Sequence, residues 1–277
     1  MPSALQQPAD HQLVHSDGRT ARLVRLDALA LLGSLPDASV DLVVTDPAYN
    51  GMNQHLSFGT GRIVGSYAER GDGEAWFDEF DDSPENYGAF LAEVARVLGP
   101  DKSAYFMFDS FSMLTLAPLL REHFSVKNVL TWDKVAIGMG HHFRRRSEFV
   151  LYCTTGRAPL VRRDVADVWR IRRVHRSTYP TQKPTELFEA MVAASLGGNA
   201  TADTVVCDPF LGSGSSAVAA LRQGCSFIGG DIAEASLEAA TARVTATLAG
   251  DVDPLQPKSL VDPLLQKAFW ETSRVAF

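Results

Sequence analysis

Between Thr204 and Leu248 the chain makes the same move twice: an apolar run of strand length stops at a polar turn, and helical periodicity follows. Thr204-Val205-Val206-Cys207 runs into Asp208-Pro209-Phe210-Leu211-Gly212-Ser213-Gly214, and a helix over Ala217–Gln223 follows. Ser226-Phe227-Ile228-Gly229-Gly230 then ends in Asp231, with a helix over Glu234–Leu248. Strands joined through helices in this way lie parallel, because a parallel pair needs a long crossover. The pattern predicts an α/β chain, and the upstream half agrees. A strand over Arg22–Asp27, a helix over Ala28–Leu32 and a strand over Val40–Val44 come first. A helix beginning at Ser83-Pro84 and ending at Gly99 carries an inner face of Phe90, Leu91, Val94, Val97 and Leu98. Further strands are predicted over Ser103–Phe108, Ser125–Trp132 and Ser147–Thr154, with helices over Met113–Glu122 and Pro184–Leu196. Residues 1–20 show no clear element.

The chain has 277 residues, 45% of them hydrophobic, enough for an ample core, and no apolar run long enough to span a bilayer. The first residues lack the hydrophobic stretch of a signal peptide. Its three cysteines are scattered in apolar stretches without C-x-x-C spacing, which points to reduced, buried thiols, no metal site and a cytoplasmic location. A net charge of −7 argues against indiscriminate polyanion binding, but the charge is unevenly placed. Arginines crowd residues 144–176 and read as a phosphate-facing patch. The glycine-rich run 50–73, without apolar periodicity, reads as a lid or binding loop whose Asn53, Gln54, His55, Arg62 and Tyr67 could reach a substrate.

Two strand ends carry the chemistry. Thr45-Asp46-Pro47-Ala48-Tyr49-Asn50 follows the strand over Val40–Val44, and Pro47 stops it. Ligands of open α/β sheets bind at the carboxyl ends of strands. Asp46 and the Pro47 carbonyl are acceptors only, and Tyr49 offers a flat face, the set needed to hold a planar ring bearing an –NH2 group. A strand-terminal turn with a capping aspartate explains the same tetrapeptide. The second strand end, Gly212-x-Gly214-x-x-Ala217 with Asp231 after the next strand, matches a dinucleotide fingerprint and so admits a nicotinamide or flavin oxidoreductase. Against that, Asp208 at the strand end would repel a pyrophosphate and suits an amine or sulfonium. A P-loop is excluded, since no lysine follows the glycines.

Together the two motifs resemble the amino-group DNA methyltransferases that modify adenine N6 or cytosine N4, over roughly Leu23–Leu248. The D-P-x-Y motif precedes the cofactor motif, as in the permuted β class. Trp132-x-Lys134, Arg144-Arg145-Arg146-Ser147-Glu148-Phe149-Val150-Leu151 and Asp167-Val168-Trp169 with Tyr179-Pro180-Thr181-Gln182-Lys183-Pro184 are similar to that family's intermediate signatures. The resemblance implies a Rossmann-like S-adenosylmethionine-dependent fold, with a mostly parallel twisted sheet and helices on both faces. The catalytic domain would span 21–250, with a loop over 50–80 and an arginine-rich recognition excursion over 155–178. Residues 1–20 would form an N-terminal extension and 251–277 a C-terminal tail.

It further implies that Asp46, Pro47 and Tyr49 grip the target base. Asp27, Ala28, Asp46, Thr181, Gln182, Lys183, Asp208, Pro209, Phe210, Gly212, Gly214, Asp231 and Ile232 would hold S-adenosylmethionine. Lys183, with Thr181 and Gln182, would lie near the methionine carboxylate. Arg62, Arg144, Arg145, Arg172 and Arg173 would face duplex DNA. A cognate restriction endonuclease and a homodimer are further partners it admits. Asp at the head of the catalytic motif favours adenine N6; cytosine-N4 enzymes of this class more often carry serine there. Ala48 stands where most relatives have a second proline, and Tyr179 where histidine is usual. The first departure leaves open a cofactor- and DNA-binding module that no longer methylates.

Overall fold

The computed structural model describes residues 9–49, 80–138, 143–174, 177, 179 and 181–255. In chain order the elements are β1 (Asp10–Val14), β2 (Thr20–Val24), α1 (Ala28–Gly33), β3 (Leu42–Thr45), α2 (Pro84–Leu98), β4 (Ser103–Phe108) and α3 (Ser110–Leu116). They continue with β5 (Ser125–Asp133), β6 (Ser147–Thr154), β7 (Val168–Arg170), α4 (Thr185–Ser195), β8 (Val205–Asp208), α5 (Ser215–Arg222), β9 (Ser226–Gly230) and α6 (Glu234–Ala249). All nine strands join one sheet in the order β1-β2-β9-β8-β3-β4-β6-β5-β7. β2, β9, β8, β3 and β4 run parallel, while β1, β6 and β5 bring in the antiparallel pairings.

The order places the functional site. From β3 the chain steps outward to β4, then returns to the opposite side of β3 through β8 and β9. β3 and β8 are therefore neighbours whose following connections diverge, with Leu42 opposite Val206 and Val43 opposite Cys207. Such a switch point leaves a crevice at the carboxyl ends of the two strands.

Helices cover both faces. One core packs Leu187, Met191, Ala219 and Leu237 of α4, α5 and α6 against the sheet. The other packs Leu32, Phe90, Val94 and Leu120 on the opposite face. In α2 the buried Tyr87, Phe90, Leu91, Val94, Val97 and Leu98 recur at three- and four-residue steps, one stripe of a 3.6-residue helix. The Ser83 hydroxyl accepts from the Asn86 amide at its start, and Pro84 occupies a first-turn position where no donor is needed.

Three local expectations are corrected. The helix expected over Met113–Glu122 begins at Ser110, because Asp109 accepts from the amides of Phe111 and Ser112, and it tightens into a 3-10 helix over Ala117–Glu122, where Pro118 has no N–H to continue α-helical bonding. β1 lies within the supposedly featureless first twenty residues; its side chains are mostly exposed, so it carries no apolar alternation. The arginine-rich stretch, expected only as an excursion from the domain, adds a strand to the sheet. β7 pairs with β5, Trp169 opposite Trp132, and the Trp132 indole donates to the Ile171 carbonyl at 2.7 Å.

Candidate active site

Asp46 follows β3 directly, and its carboxylate is paired with the Lys183 ammonium, which arrives from the segment preceding α4. Thr181 in that segment takes a φ of 55°, a bend that turns the chain towards the crevice. Lys183 also lies 4.0 Å from Glu148 of β6, and Glu148 receives Lys134 at 2.9 Å. Burial pushes the Asp46 carboxyl above the ordinary carboxylate value, with Lys183 working against that push. Burial would lower Lys183, but the charges of Asp46 and Glu148 outweigh it and hold the ammonium protonated. Lys183, expected near the cofactor's carboxylate, is here paired with Asp46.

The turn after Asp46 is locked from below. The Tyr49 amide donates to the Pro47 carbonyl at 3.0 Å, and the Tyr49 hydroxyl donates to the Met107 carbonyl at 2.9 Å. The Tyr49 ring is 1% exposed and stacks on Phe108 with centroids 5.1 Å apart. This corrects the expectation of an open stacking face: Phe108 already covers the ring, and Tyr49 anchors the turn. The Phe80 amide donates to the Ala48 carbonyl at 2.8 Å, so the chain leaves at Tyr49 and returns at Phe80 side by side. Asn53, Gln54, His55, Arg62 and Tyr67, expected to reach a substrate, lie outside the described residues.

On the neighbouring strand, Asp208 is 1% exposed, and its oxygens accept from the Phe210 amide at 3.0 Å and the Ser216 hydroxyl at 2.6 Å. Burial raises its carboxyl to about 7, against those hydrogen bonds. Asp208, expected to suit an amine or sulfonium, also organises the glycine turn through these bonds. Gly214 has a φ of 80° and lies against α6, where an added Cβ would come within 2.8 Å of the Ala240 Cβ. Only glycine fits both demands, so Gly214 sets helix packing rather than contacting the crevice. Gly212 does face it, and its amide donates to Asp231 at 2.9 Å. The second Asp231 oxygen accepts from the Ala233 amide. Arg243, 1% exposed, reaches back from α6 to the Ser213 carbonyl, the Ser215 and Thr185 hydroxyls and the Asp253 carboxylate.

These strand ends open on one cavity of about 850 Å³. Asp27, Ala28, Asp46, Pro47, Thr181, Gln182, Lys183, Asp208, Pro209, Phe210, Gly212, Asp231 and Ile232 all line it; Tyr49 and Gly214 do not. Sequence reasoning missed Phe80, Asn86, Phe188, Ser236 and Leu255, which are among the other residues of the wall. Tyr179, noted only as a departure, bonds Ser236 through its hydroxyl at 2.7 Å across that wall. The family signature could have flagged Tyr179; nothing in local sequence marks Ser236 or Leu255.

A family model described as a DNA methylase, N6_N4_Mtase, matches residues 40–242, which contain both strand ends and the segment carrying Lys183. The chain belongs to this N6/N4 DNA methylase family. Membership removes the dinucleotide oxidoreductase reading. The chain is 26% identical to the type II methyltransferase M.HhaII of Haemophilus parahaemolyticus over 215 residues, 75% of this chain and 89% of that protein. Among solved structures, the M1.HpyAVI–SAM complex superposes with a TM-score of 0.54 at 20% identity, covering 80% of this chain and 99% of that one. The PvuII DNA methyltransferase, cytosine-N4-specific, superposes with a TM-score of 0.58 at 14% identity, covering 94% of each chain. Both likenesses concern the fold.

Part of this methylase's arginine cluster is neutralised internally. Arg146 grips Asp133 with two bonds of 2.6 Å, Arg170 approaches the same carboxylate at 3.6 Å, and Arg162 pairs with Asp164. Arg144, Arg145 and Arg172 are exposed and Arg173 is half-buried. Arg144 donates to the Gly138 carbonyl, and Arg145 lies over the Phe111 ring at 5.0 Å. Arg62 falls outside the described residues. Among the described residues no helix is long and apolar enough to cross a membrane.

Proposed function

We propose that this methylase transfers a methyl group from S-adenosylmethionine to the exocyclic amino group of a base drawn out of duplex DNA, with adenine N6 the favoured target. The observation that carries the reading is that the Asp46–Pro47 acceptors and the Gly212–Asp231 turn open on one cavity. The donor set suits S-adenosylmethionine. Asp231 is fixed by two backbone amides and brings a carboxylate to the cavity for the ribose hydroxyls. Phe210 and Ile232 supply apolar surface, Asp27 an acceptor for the adenine amino group, and Thr181 and Gln182 polar groups for the methionine end. Bound there, the cofactor supplies an electrophilic methyl group on sulfur.

The protein's part is acceptance and orientation. A base inside the duplex is out of reach and must leave its stack. Its amino nitrogen is a poor nucleophile because the lone pair is delocalised into the ring. Hydrogen bonds from the amino group to Asp46 Oδ1 and to the Pro47 carbonyl draw that lone pair out of conjugation and aim it. The N–C bond forms as the S–C bond breaks, the electron pair staying on sulfur, and the surplus amino proton passes to the Asp46 carboxylate. No covalent enzyme intermediate is needed, so orientation and fixed charge lower the barrier. Arg144, Arg145, Arg172 and Arg173 are assigned to the DNA backbone.

The test is to incubate the enzyme and S-adenosylmethionine with unmodified genomic DNA, digest it to nucleosides and analyse them by mass spectrometry. N6-methyladenine is expected. N4-methylcytosine would change the base and keep the mechanism. No methylated nucleoside, with cofactor still bound, would overturn the reading in favour of a silent module and direct attention to Ala48.

A further inference from the structure

Behind Asp46, charges of alternating sign run into the protein: Asp46, Lys183, Glu148, Lys134. Four segments distant in sequence supply them, namely the end of β3, the approach to α4, the start of β6 and the residue after β5. Their side chains are between 15% and 26% exposed, so solvent screens them only in part. The sheet fixes the inner pair: Glu148 lies opposite Trp132 in the β5–β6 register, and the Lys134 amide donates to the Arg146 carbonyl at 2.9 Å. Lys134 Nζ stands 2.9 Å from Glu148 Oε1, which leaves Oε2 facing Lys183 at 4.0 Å. Lys183 binds Asp46 through Oδ2, and among the described residues Oδ1 has no hydrogen-bond partner, so Oδ1 is the oxygen the proposal gives to a substrate.

We propose that Glu148 and Lys134 are positioning residues for the methyl transfer: Lys134 holds Glu148, Glu148 shares the Lys183 ammonium with Asp46, and that division sets how strongly Asp46 Oδ1 accepts from the amino group. The inference rests on the reaction proposed above. The surroundings make the division matter. Asp46 also faces Asp109 at the start of α3, Asp208 at the end of β8 and the Tyr49 phenol. Asp109 is itself engaged by the Phe111 and Ser112 amides and the Ser112 hydroxyl. Among the described residues, Lys183 is a cation that opposes the push of burial, Glu148 and Asp109 on the Asp46 carboxyl. Glu148 draws on that same cation, and its own carboxyl is held low by Lys183 and Lys134 in spite of burial. An Asp46 that takes up a proton loses the charge that strengthens its bond to the amino group.

The relay predicts shifts of opposite sign. Removing the Lys134 charge with Lys134→Met leaves Glu148 to pull Lys183 away, so the acidic limb of the kcat–pH profile moves up by about one unit, the scale of a single nearby charge. Glu148→Gln ends the competition and removes a repelling charge, so the limb moves down. The double variant behaves as Glu148→Gln alone, because Lys134 acts through Glu148; simple addition of the two opposite shifts would mark independent charges and overturn the relay. A fold defect lowers kcat without moving the two limbs apart. Carbon-13 NMR of the aspartate carboxyls, with Asp46 assigned from the Asp46→Ala spectrum, reads the same titration without turnover. Limbs and NMR titrations that coincide with wild type, or that move in the same direction in both single variants, overturn the proposal. Opposite NMR shifts in a wild-type enzyme that methylates no DNA would uphold the relay and overturn the reaction assigned to it.

Discussion

Two neighbouring parallel strands, β3 and β8, lead into Asp-Pro at their carboxyl ends, and the two aspartates have different partners. Asp46 is held by an ammonium ion; Asp208 is held by a neutral amide and a hydroxyl. At Asp46 a cation opposes the upward push of burial, whereas at Asp208 neutral donors leave the carboxyl raised to about 7. Identical dipeptides at the ends of adjacent strands, offset by two residues in the register, thus meet different surroundings. The difference arises from what the rest of the chain brings to each strand end.

The sharpest break in this comparison is Asp46→Ala. Methyl transfer should fall on the order of 10³-fold, the scale of losing a group aimed at the reacting centre. Cofactor affinity by calorimetry should stay within a few-fold; turnover near wild type would refute the catalytic assignment.

Asp208 should show the opposite behaviour, in stability. Between 3.8, its ordinary value, and about 7, the folded chain keeps a proton that the unfolded chain has released. Raising the pH through that window therefore favours unfolding, by up to roughly 4 kcal/mol for one such group, and the effect levels off above pH 7. Urea unfolding of wild type and Asp208→Asn across pH 4–8 checks this: the difference between the two curves should carry the slope, and parallel curves would contradict it.

Ser216→Ala should cost about 2 kcal/mol above pH 7, where it removes a bond to a charged oxygen, and less at pH 5, where Asp208 is protonated. Equal loss at both pH values would mean that the hydroxyl does not report the carboxylate's charge. Smallest is a change that should leave both carboxylates alone. Reversing Arg172 and Arg173 should weaken DNA binding and flatten its salt dependence, with Asp46 and Asp208 titrating as before. An unchanged salt slope would remove these arginines from the interface.

What could be read from sequence was local. Apolar periodicity located the strands and helices around residues 22–45, 84–108 and 204–249, and Asp46, Gly212 and Asp231 stood out because turn chemistry after a strand is itself a local pattern. Pairings across distance were not legible. Lys183 and Asp46 lie 137 residues apart, and only the sheet order brings them together. Tyr49 looked like an open platform because nothing in its own hexapeptide announces Phe108 beneath it. β7 was hidden among arginines, since three residues with one buried tryptophan leave no periodicity to detect.

Arg243 sets an order of events during synthesis. A guanidinium with 1% exposure needs its counter-charge, and Asp253 supplies it. The same guanidinium holds Ser213 and Ser215 of the glycine turn together with Thr185 at the head of α4. While a growing chain has not yet emerged through residue 253, that turn lacks the brace of an Arg243 paired with its counter-charge. The strands and first helices can pack beforehand, but the methyl-donor crevice takes its final shape only afterwards, so a partly made chain on the ribosome has a sheet before it has a pocket.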